Sequence, residues 1–507
     1  MRDRISFLLI FVGAVFLRVI HLDKGISGDE GALLTYAQGG WSDILATLKT
    51  EAIYPPLSPF LLSQWLRMGA SEIWIRLYFV MFGVGCCVLV YFIASEFAGR
   101  KFGMMAMALA SLSPFLIWSS QFIRTYMEGT FWMLLATVFF VRVIKRERSD
   151  DRVFYVISSA VAIYTFYLNV LFLAAQLLFV SIFELRDRKR FWRWLVSYAM
   201  TGILFLPWLF EAAGQYGNVT AAKSFWNTKG FWMMEWINLG RYARHGASLF
   251  GFDPEFLSMG FSRMGLSRWL LLMMALAALG ILFYFVYRII GILYQRYSNK
   301  FVWLFVILAL FPFILANLAE IFFYFRPYSK IFSYPHAVFI VLMTAFFYDF
   351  DRRKYIIRAS FIGLTALYLS RLLFIYQPEY DTKKSYHYLA SHMSKQDVVL
   401  MIRETNHYIS ETDIHRFTKT KPLPNVILIS YLEREKRTGN YKAFSDKALA
   451  VLQRLKETKQ NIWFYRQAGN DEMFGANLRI LQWFGDNGYV LKQSTPFKRV
   501  ELLRFSL

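Results

Sequence analysis

A chain of 507 residues that is 56% hydrophobic and 19% aromatic, with positive mean hydropathy, is not an ordinary soluble protein, because that much apolar surface has no interior large enough to hide it. The formal net charge of +22 does not indicate nucleic acid: Lys and Arg gather in short connections between apolar runs, where they act as membrane topology signals. Cys86 and Cys87 are adjacent inside one apolar run, which fits small packing residues better than a disulfide, a metal cage or redox chemistry.

A membrane helix needs roughly 20 apolar residues. By that measure the sequence predicts about eleven spans, beginning near Ile5, Ile73, Met104, Met127, Val153, Val170, Leu195, Trp269, Phe301, Ile331 and Tyr355. The first run, Ile5 to Leu22, follows Arg2 and Arg4 and lacks a small-residue cleavage site, so it is expected to stay as an uncleaved span. The apolar run from Val153 to Phe183 is expected to be two helices that turn at Tyr167-Leu168-Asn169. A single helix there would put basic clusters on both sides of the membrane. With the split, Arg100-Lys101, Arg142 to Arg152, Arg186 to Arg193, Arg288 to Lys300 and Arg352-Arg353-Lys354 all face the cytoplasm with the N-terminus.

The opposite face then receives a first loop over residues 23–72, the Gln121 to Glu128 turn, a long loop over 211–267, and everything after Gln377. Within the first loop, Trp41 to Thr50 and Leu57 to Met68 have the pattern of helices lying flat on the bilayer. After Gln377 the apolar runs shorten. Val398 to Ile402, Val426 to Ser430, Ile462 to Tyr465, Tyr489 to Leu491 and Val500 to Phe505 are predicted strands, with helical patterns at Ser385 to Ser394, Phe444 to Glu457 and Asp471 to Trp483 between them. The expected architecture is therefore mainly α: a polytopic membrane domain over residues 1–376 and an extracytoplasmic α/β domain over 377–507. The latter lacks a Gly-rich phosphate fingerprint or a paired-Cys motif, and a binding or docking role is expected of it.

Three constellations could carry chemistry, all on the outer side. Asp29 and Glu30 follow the first span, where a carboxylate beside an apolar helix end can act as a base towards a hydroxyl nucleophile. Their neighbouring positions point in different directions, so one can face a reaction while the other orients a loop or cation. The second is Ser113-Pro114 through Gln121, Arg124, Tyr126 and Glu128. If that stretch is helical, Gln121, Arg124 and Glu128 share a stripe, either as a local ion pair or with Arg124 free to hold a phosphate, Tyr126 adding a donor. The third is Arg326 and Lys330 ahead of Tyr334-Pro335-His336, two cations able to grip an anionic head group or merely to sit at the interface. Arg241, Arg244 and His245 in the long loop carry the same ambiguity, with an acceptor-side role as the functional option. The other histidines show no metal spacing.

Taken in order, these residues resemble the GT-C glycosyltransferases, specifically the protein O-mannosyltransferase and aminoarabinose transferase group. The motifs are Gly28-Asp29-Glu30 after the first helix, Tyr54-Pro55-Pro56-Leu57, Ile75-Arg76-Leu77, Ser113-Pro114 to Gln121-Phe122-Ile123-Arg124-Thr125-Tyr126, and Leu206-Pro207-Trp208. They cover roughly the first 210 residues, with a weaker echo at Arg326 to Pro335. The resemblance implies a multi-pass plasma-membrane enzyme that moves a sugar, with inversion, from a polyprenyl-phosphate carrier to a lipid, glycan or protein hydroxyl outside the cytoplasm. It implies Asp29 as general base, Glu30 as its partner, and Arg124 with Tyr126 and Gln121 on the donor phosphate. Tyr54 stands where many relatives have His, and Phe166-Tyr167 where Thr-His-Tyr is common, which places Tyr54 and Tyr167 on the acceptor and loop side and weakens the case for a metal. No cofactor is implied, and a divalent cation stays open. The rival classes are a transporter or flippase of lipid-linked sugars, which would scatter polar residues through several spans and show related halves, and a non-catalytic membrane scaffold.

Overall fold

The computed structural model describes residues 2–223 apart from a few loop positions, then 248–251, 299–323 and 329–348. Towards the C-terminus it describes 382–402, 426–429, 452–457, 461–467 and 474–507 with small gaps, and isolated positions elsewhere. The first helices in chain order are α1 (Arg2–Val19), α2 (Gly28–Tyr36), α3 (Trp41–Glu51), α4 (Leu57–Leu66), α5 (Glu72–Ala98), α6 (Arg100–Leu112) and α7 (Pro114–Gln121). They are followed by α8 (Thr125–Arg146), α9 (Ser149–Thr165), α10 (Asn169–Phe183), α11 (Arg188–Lys223), α12 (Asn299–Phe323), a 3-10 turn at Ser329–Phe332, and α13 (Ser333–Tyr348).

Every predicted span on described residues is helical there, whereas the runs beginning near Trp269 and Tyr355 lie outside the described residues. Among the described helices, three (Glu72–Ala98, Thr125–Arg146 and Arg188–Glu211) are long and apolar enough to cross a membrane, and the pair α6 and α7, bent by 60°, makes a fourth if it is one span. Asn169–Phe183, Lys300–Ala316 and Ser333–Ala345 are shorter apolar helices. The Val153 to Phe183 run is broken into α9 and α10 at Phe166–Leu168, where Phe166 is extended and Asn169 uses its amide on the Ala162 and Gly129 carbonyls.

Two local readings are corrected. The predicted first outer loop contains a helix that its sequence conceals: α2 begins at Gly28, so Asp29 and Glu30 are first-turn residues. Its nine residues are too few to show a clear apolar period, and it is held instead by burial of Leu33, Leu34 and Tyr36 in the main core. The stretch from Ser113 to Glu128 is not one helix either. Ser113 caps α7, the chain turns at Phe122–Arg124, and α8 starts afresh, so Gln121, Arg124 and Glu128 share no stripe.

Packing centres on α5, which lies against α6, α7 and α8, with α8 in turn against α9. At the other end of the chain, β1 (Val398–Ile402), β2 (Val426–Ile429), β3 (Ile462–Gln467), β4 (Val490–Phe497) and β5 (Val500–Ser506) form one sheet in the order β2-β1-β3-β5-β4. The first three strands are parallel and the β5 and β4 pairings antiparallel. Helices α14 (Thr382–His392) and α15 (Phe474–Asp486) accompany it. Strand residues alternate between two cores: Leu400, Ile462 and Phe464 meet Ile480 and Phe484 on one face, while Val399, Trp463 and Tyr465 meet Tyr386 and Leu389 on the other.

Candidate active site

A set of buried polar residues of the helical domain converges on the break between α6 and α8. Pro114 has no N–H to give the Ala110 carbonyl, and the Phe115 N–H donates instead to Gly251 O at 2.8 Å, so the carbonyls of Ala110 and Ser111 lose their helical donors. Arg18, near the end of α1, replaces both: its fully buried guanidinium donates to Ala110 O at 3.1 Å, to Ser111 O at 3.2 Å and to Ser120 Oγ at 3.1 Å. Gln121 returns the tie, its amide donating to the carbonyls of Arg18 at 3.0 Å and Ile20 at 2.8 Å. The Gln121 amide, expected on a donor phosphate, is thus committed to holding the end of α1.

The two carboxylates of α2 are placed one after the other in its first turn. Glu30 is buried and forms an ion pair with Arg76 of α5, Arg76 Nη2 lying 3.1 Å from Oε2. Arg76 also donates to the Gln121 carbonyl, and the Ile123 N–H donates to Glu30 Oε1 at 3.2 Å. Glu30 therefore fastens α2 to α5 and to the Phe122–Arg124 turn together. A buried carboxylate that accepts from both a guanidinium and a backbone N–H has the geometry of an anchor.

Arg124 leaves that turn at the N-cap of α8 with extended backbone. Its guanidinium lies over the Tyr54 ring, 5.6 Å from the centroid, and Tyr54 packs edge-on against Tyr36 of α2 at 5.3 Å. Glu128, one turn into α8, accepts from Ser58 Oγ at 2.5 Å and from the Tyr78 hydroxyl at 3.1 Å. Ser58 is in the first turn of α4, directly after Tyr54-Pro55-Pro56, so Glu128 fixes the loop that brings Tyr54 to Arg124. The ion pair with Arg124 that the sequence allowed is replaced by these two hydroxyl contacts.

Tyr126 stacks on Phe122 and meets Phe166 edge-on at 5.6 Å, within an aromatic cluster beside the turn. Tyr167 lies between α9 and α10 and accepts from Trp208 Nε1 at 2.7 Å, which joins it to the Leu206-Pro207-Trp208 motif of α11. Lys330 falls in the 3-10 turn that precedes α13. Arg241, Arg244, His245 and Arg326 lie outside the described residues. Among the described residues, no group of three or more His, Cys, Asp or Glu could hold a metal ion. A cavity of about 620 Å³ opens between α3, α4, α9 and α11, lined chiefly by Trp41, Leu45, Leu57, Ile157, Tyr164 and Trp208. The Lys49–Glu211 ion pair, 2.8 Å long, lies at this cavity, which does not include the Arg124 turn.

Residues 54–210 match the dolichyl-phosphate-mannose-protein mannosyltransferase family. The match spans less than a third of the chain and contains Tyr54, Arg76, Gln121, Arg124 and Glu128. None of the curated proteins matches the chain. Among solved structures it is similar to the oligosaccharyltransferase AglB from Archaeoglobus fulgidus in complex with an inhibitory peptide and a dolichol-phosphate, with TM-score 0.50 and 13% identity over 92% of this chain and 69% of that one. The oligosaccharyltransferase of the same organism in complex with Zn and sulfate gives TM-score 0.50 and 15% identity over 97% and 73%. ArnT from Cupriavidus metallidurans bound to undecaprenyl phosphate gives TM-score 0.47 and 12% identity over 98% and 97%. The chain has the GT-C fold. In it, Glu30, Tyr54, Arg76, Gln121 and Arg124 come together at the Phe122–Arg124 turn, whereas Leu206-Pro207-Trp208 lies with Tyr167 beside the cavity. Sequence reasoning missed Arg18 and Arg76 as site-building residues, and the signal that could have found them is an arginine within an apolar helical run.

Proposed function

We propose that this protein is an inverting glycosyltransferase that moves a sugar from a polyprenyl-phosphate-linked donor to a hydroxyl of a lipid, glycan or protein acceptor at the extracytoplasmic face of the membrane. One observation carries the reading: the first turn of α2, Tyr54 and Arg124 are gathered at the Phe122–Arg124 turn by the Glu30–Ile123 hydrogen bond and the Arg124–Tyr54 contact. The family match over 54–210 supports the same class.

The chemistry needs two charges in this arrangement. The leaving group departs as a lipid phosphate and carries its own negative charge, so it requires a cation more than a general acid. Arg124 supplies that cation with a planar fork suited to two phosphate oxygens. The incoming hydroxyl requires a base, which we assign to Asp29, while Glu30 holds the helix that presents it. Arg326 and Lys330, Tyr126, and the loop residues Tyr167, Arg241, Arg244 and His245 complete the proposed donor and acceptor sides. The chain would cross the plasma membrane about eleven times with its N-terminus in the cytoplasm, and present residues 377–507 outside as an α/β domain. The bilayer, the donor and the acceptor are its proposed partners; nucleic acid is not.

Purified protein in lipid nanodiscs, offered a panel of polyprenyl-phosphate sugars with candidate acceptors, is expected to form product with the wild type and to lose at least about a hundredfold in kcat with Asp29→Asn, the scale of losing a general base. Full turnover by Asp29→Asn would remove the base assignment. Movement of the lipid-linked sugar across the membrane without any transfer would support the flippase instead.

A further inference from the structure

One buried histidine is not used by the proposed chemistry and sits where three segments meet. His336, in the first turn of α13, is fully buried. Its Nδ1 lies 2.7 Å from Leu249 O and its Nε2 lies 2.7 Å from Ser113 Oγ. A carbonyl can only accept, so in the neutral ring Nδ1 carries the hydrogen and Nε2 accepts from the Ser113 hydroxyl. Ser113 is the N-cap of α7 and also accepts from the Leu116 N–H at 3.4 Å. Its oxygen is therefore both the cap that starts α7 and the handle by which α13 holds it.

The surrounding bonds make the clamp two-sided. Ser333, three residues before His336, shares a hydrogen bond of 2.6 Å with Thr130 of α8, while the Gly251 carbonyl takes the Phe115 N–H of α7. The start of α13 thus grips α7 through His336 and α8 through Ser333. Those helices flank the Phe122–Arg124 turn, and α13 follows directly on the 3-10 turn that contains Lys330. The clamp also reaches Leu249, within the 211–267 segment.

We propose that His336 is a positioning residue for donor binding: through Ser113 it fixes where α7 starts and hence where the Phe122–Arg124 turn at its other end delivers Arg124 relative to the Lys330 segment. This rests on the reading of Arg124 as the donor-phosphate ligand. Its two hydrogen bonds can be separated. Gln places an amide near the Nε2 position and keeps the Ser113 bond, whereas Asn places one near Nδ1 and keeps only the Leu249 bond.

The test compares wild type, Ser113→Ala, His336→Asn and His336→Gln as full-length protein in nanodiscs, by hydrogen exchange and by kinetics. Ser113→Ala and His336→Asn are expected to speed amide exchange in the 119–126 segment and to raise donor KM, each by about tenfold, the worth of one buried hydrogen bond, with acceptor KM and kcat within about twofold. His336→Gln is expected to stay within about threefold of wild type in both. Equal behaviour of the Asn and Gln variants, or exchange at 119–126 that none of the three alters, would overturn the proposal. If the wild type transfers no sugar while the exchange pattern appears as expected, the functional reading fails and the clamp stands.

Discussion

Arg124 and Glu30 show how differently two charged residues of one small region can be employed. Arg124 is half-buried with its guanidinium over the Tyr54 ring, a setting that orients it. Lys keeps the charge but not the fork, so Arg124→Lys is expected to raise donor KM about tenfold, and Arg124→Ala to lower kcat/KM by a hundredfold or more. Steady-state kinetics with a polyprenyl phosphosugar distinguish the two, and wild-type kinetics in the Ala variant would dismiss Arg124 from the site. Glu30 is instead one half of a buried pair. Glu30→Gln or Arg76→Met alone breaks a buried ion pair, which costs about 3–5 kcal/mol, whereas the double change Glu30→Gln with Arg76→Met removes both charges and is expected to cost much less than the sum of the two. Thermal unfolding in one detergent, read across single and double variants, gives the coupling directly; additive effects would contradict the pair.

At the scale of elements, the site depends on how closely α7 approaches α5. A Cβ built on Gly83 of α5 would lie 2.0 Å from Ser120 Oγ and 2.6 Å from its Cβ, so only glycine lets the two helices meet there. Gly83→Ala is expected to push α7 outward, strain the Arg18–Ser120 bond and destabilise the protein by about 1–3 kcal/mol, with activity falling further than stability because Arg124 is displaced too. Retention of full activity at lowered stability would separate α7 packing from the site. The α4 segment is tied down by one hydroxyl: Ser58→Ala leaves Glu128 with Tyr78 as its partner, an expected loss of about 1–3 kcal/mol in the same unfolding measurement.

At the scale of the whole molecule, the sheet unit brings its own titratable anchor. Asp397, at the start of β1, accepts from Ser394, Asn461 and Trp463 and pairs with Arg504 at 3.7 Å. Burial pushes its carboxyl up, yet the hydrogen bonds from Ser394, Trp463 and Asn461 outweigh that and hold the value below 3.8. A depressed folded value means the contribution is complete above the unfolded value and disappears as pH falls through the folded one. Wild-type stability is therefore expected to fall in strongly acid solution below about pH 4, and Asp397→Asn to have lost that contribution already at neutral pH, as unfolding followed across a pH series would reveal. A flat difference between the two proteins across that range would dismiss Asp397 as the anchor.

The strands Val398–Ile402 and Val500–Ser506 and the long helices were legible because their signal is local: a short apolar run of strand length, or some twenty apolar residues in a row. Glu30 and Arg124 could be expected near each other because the basic loops predict which ends of the helices lie together, and the Glu30 bond to the Phe122–Arg124 turn bears that proximity out. The sequence by itself determined those elements, their order and the residue types available for the chemistry. Only the tertiary structure decided which of them are tied to one another and by what bonds. Gln121, Glu30 and His336 owe their roles to partners 103, 46 and 223 residues away, and Arg18 to one 102 away. Such pairings follow from where helix breaks leave backbone carbonyls without donors and where packing removes water from charges, and neither quantity exists until the chain is folded.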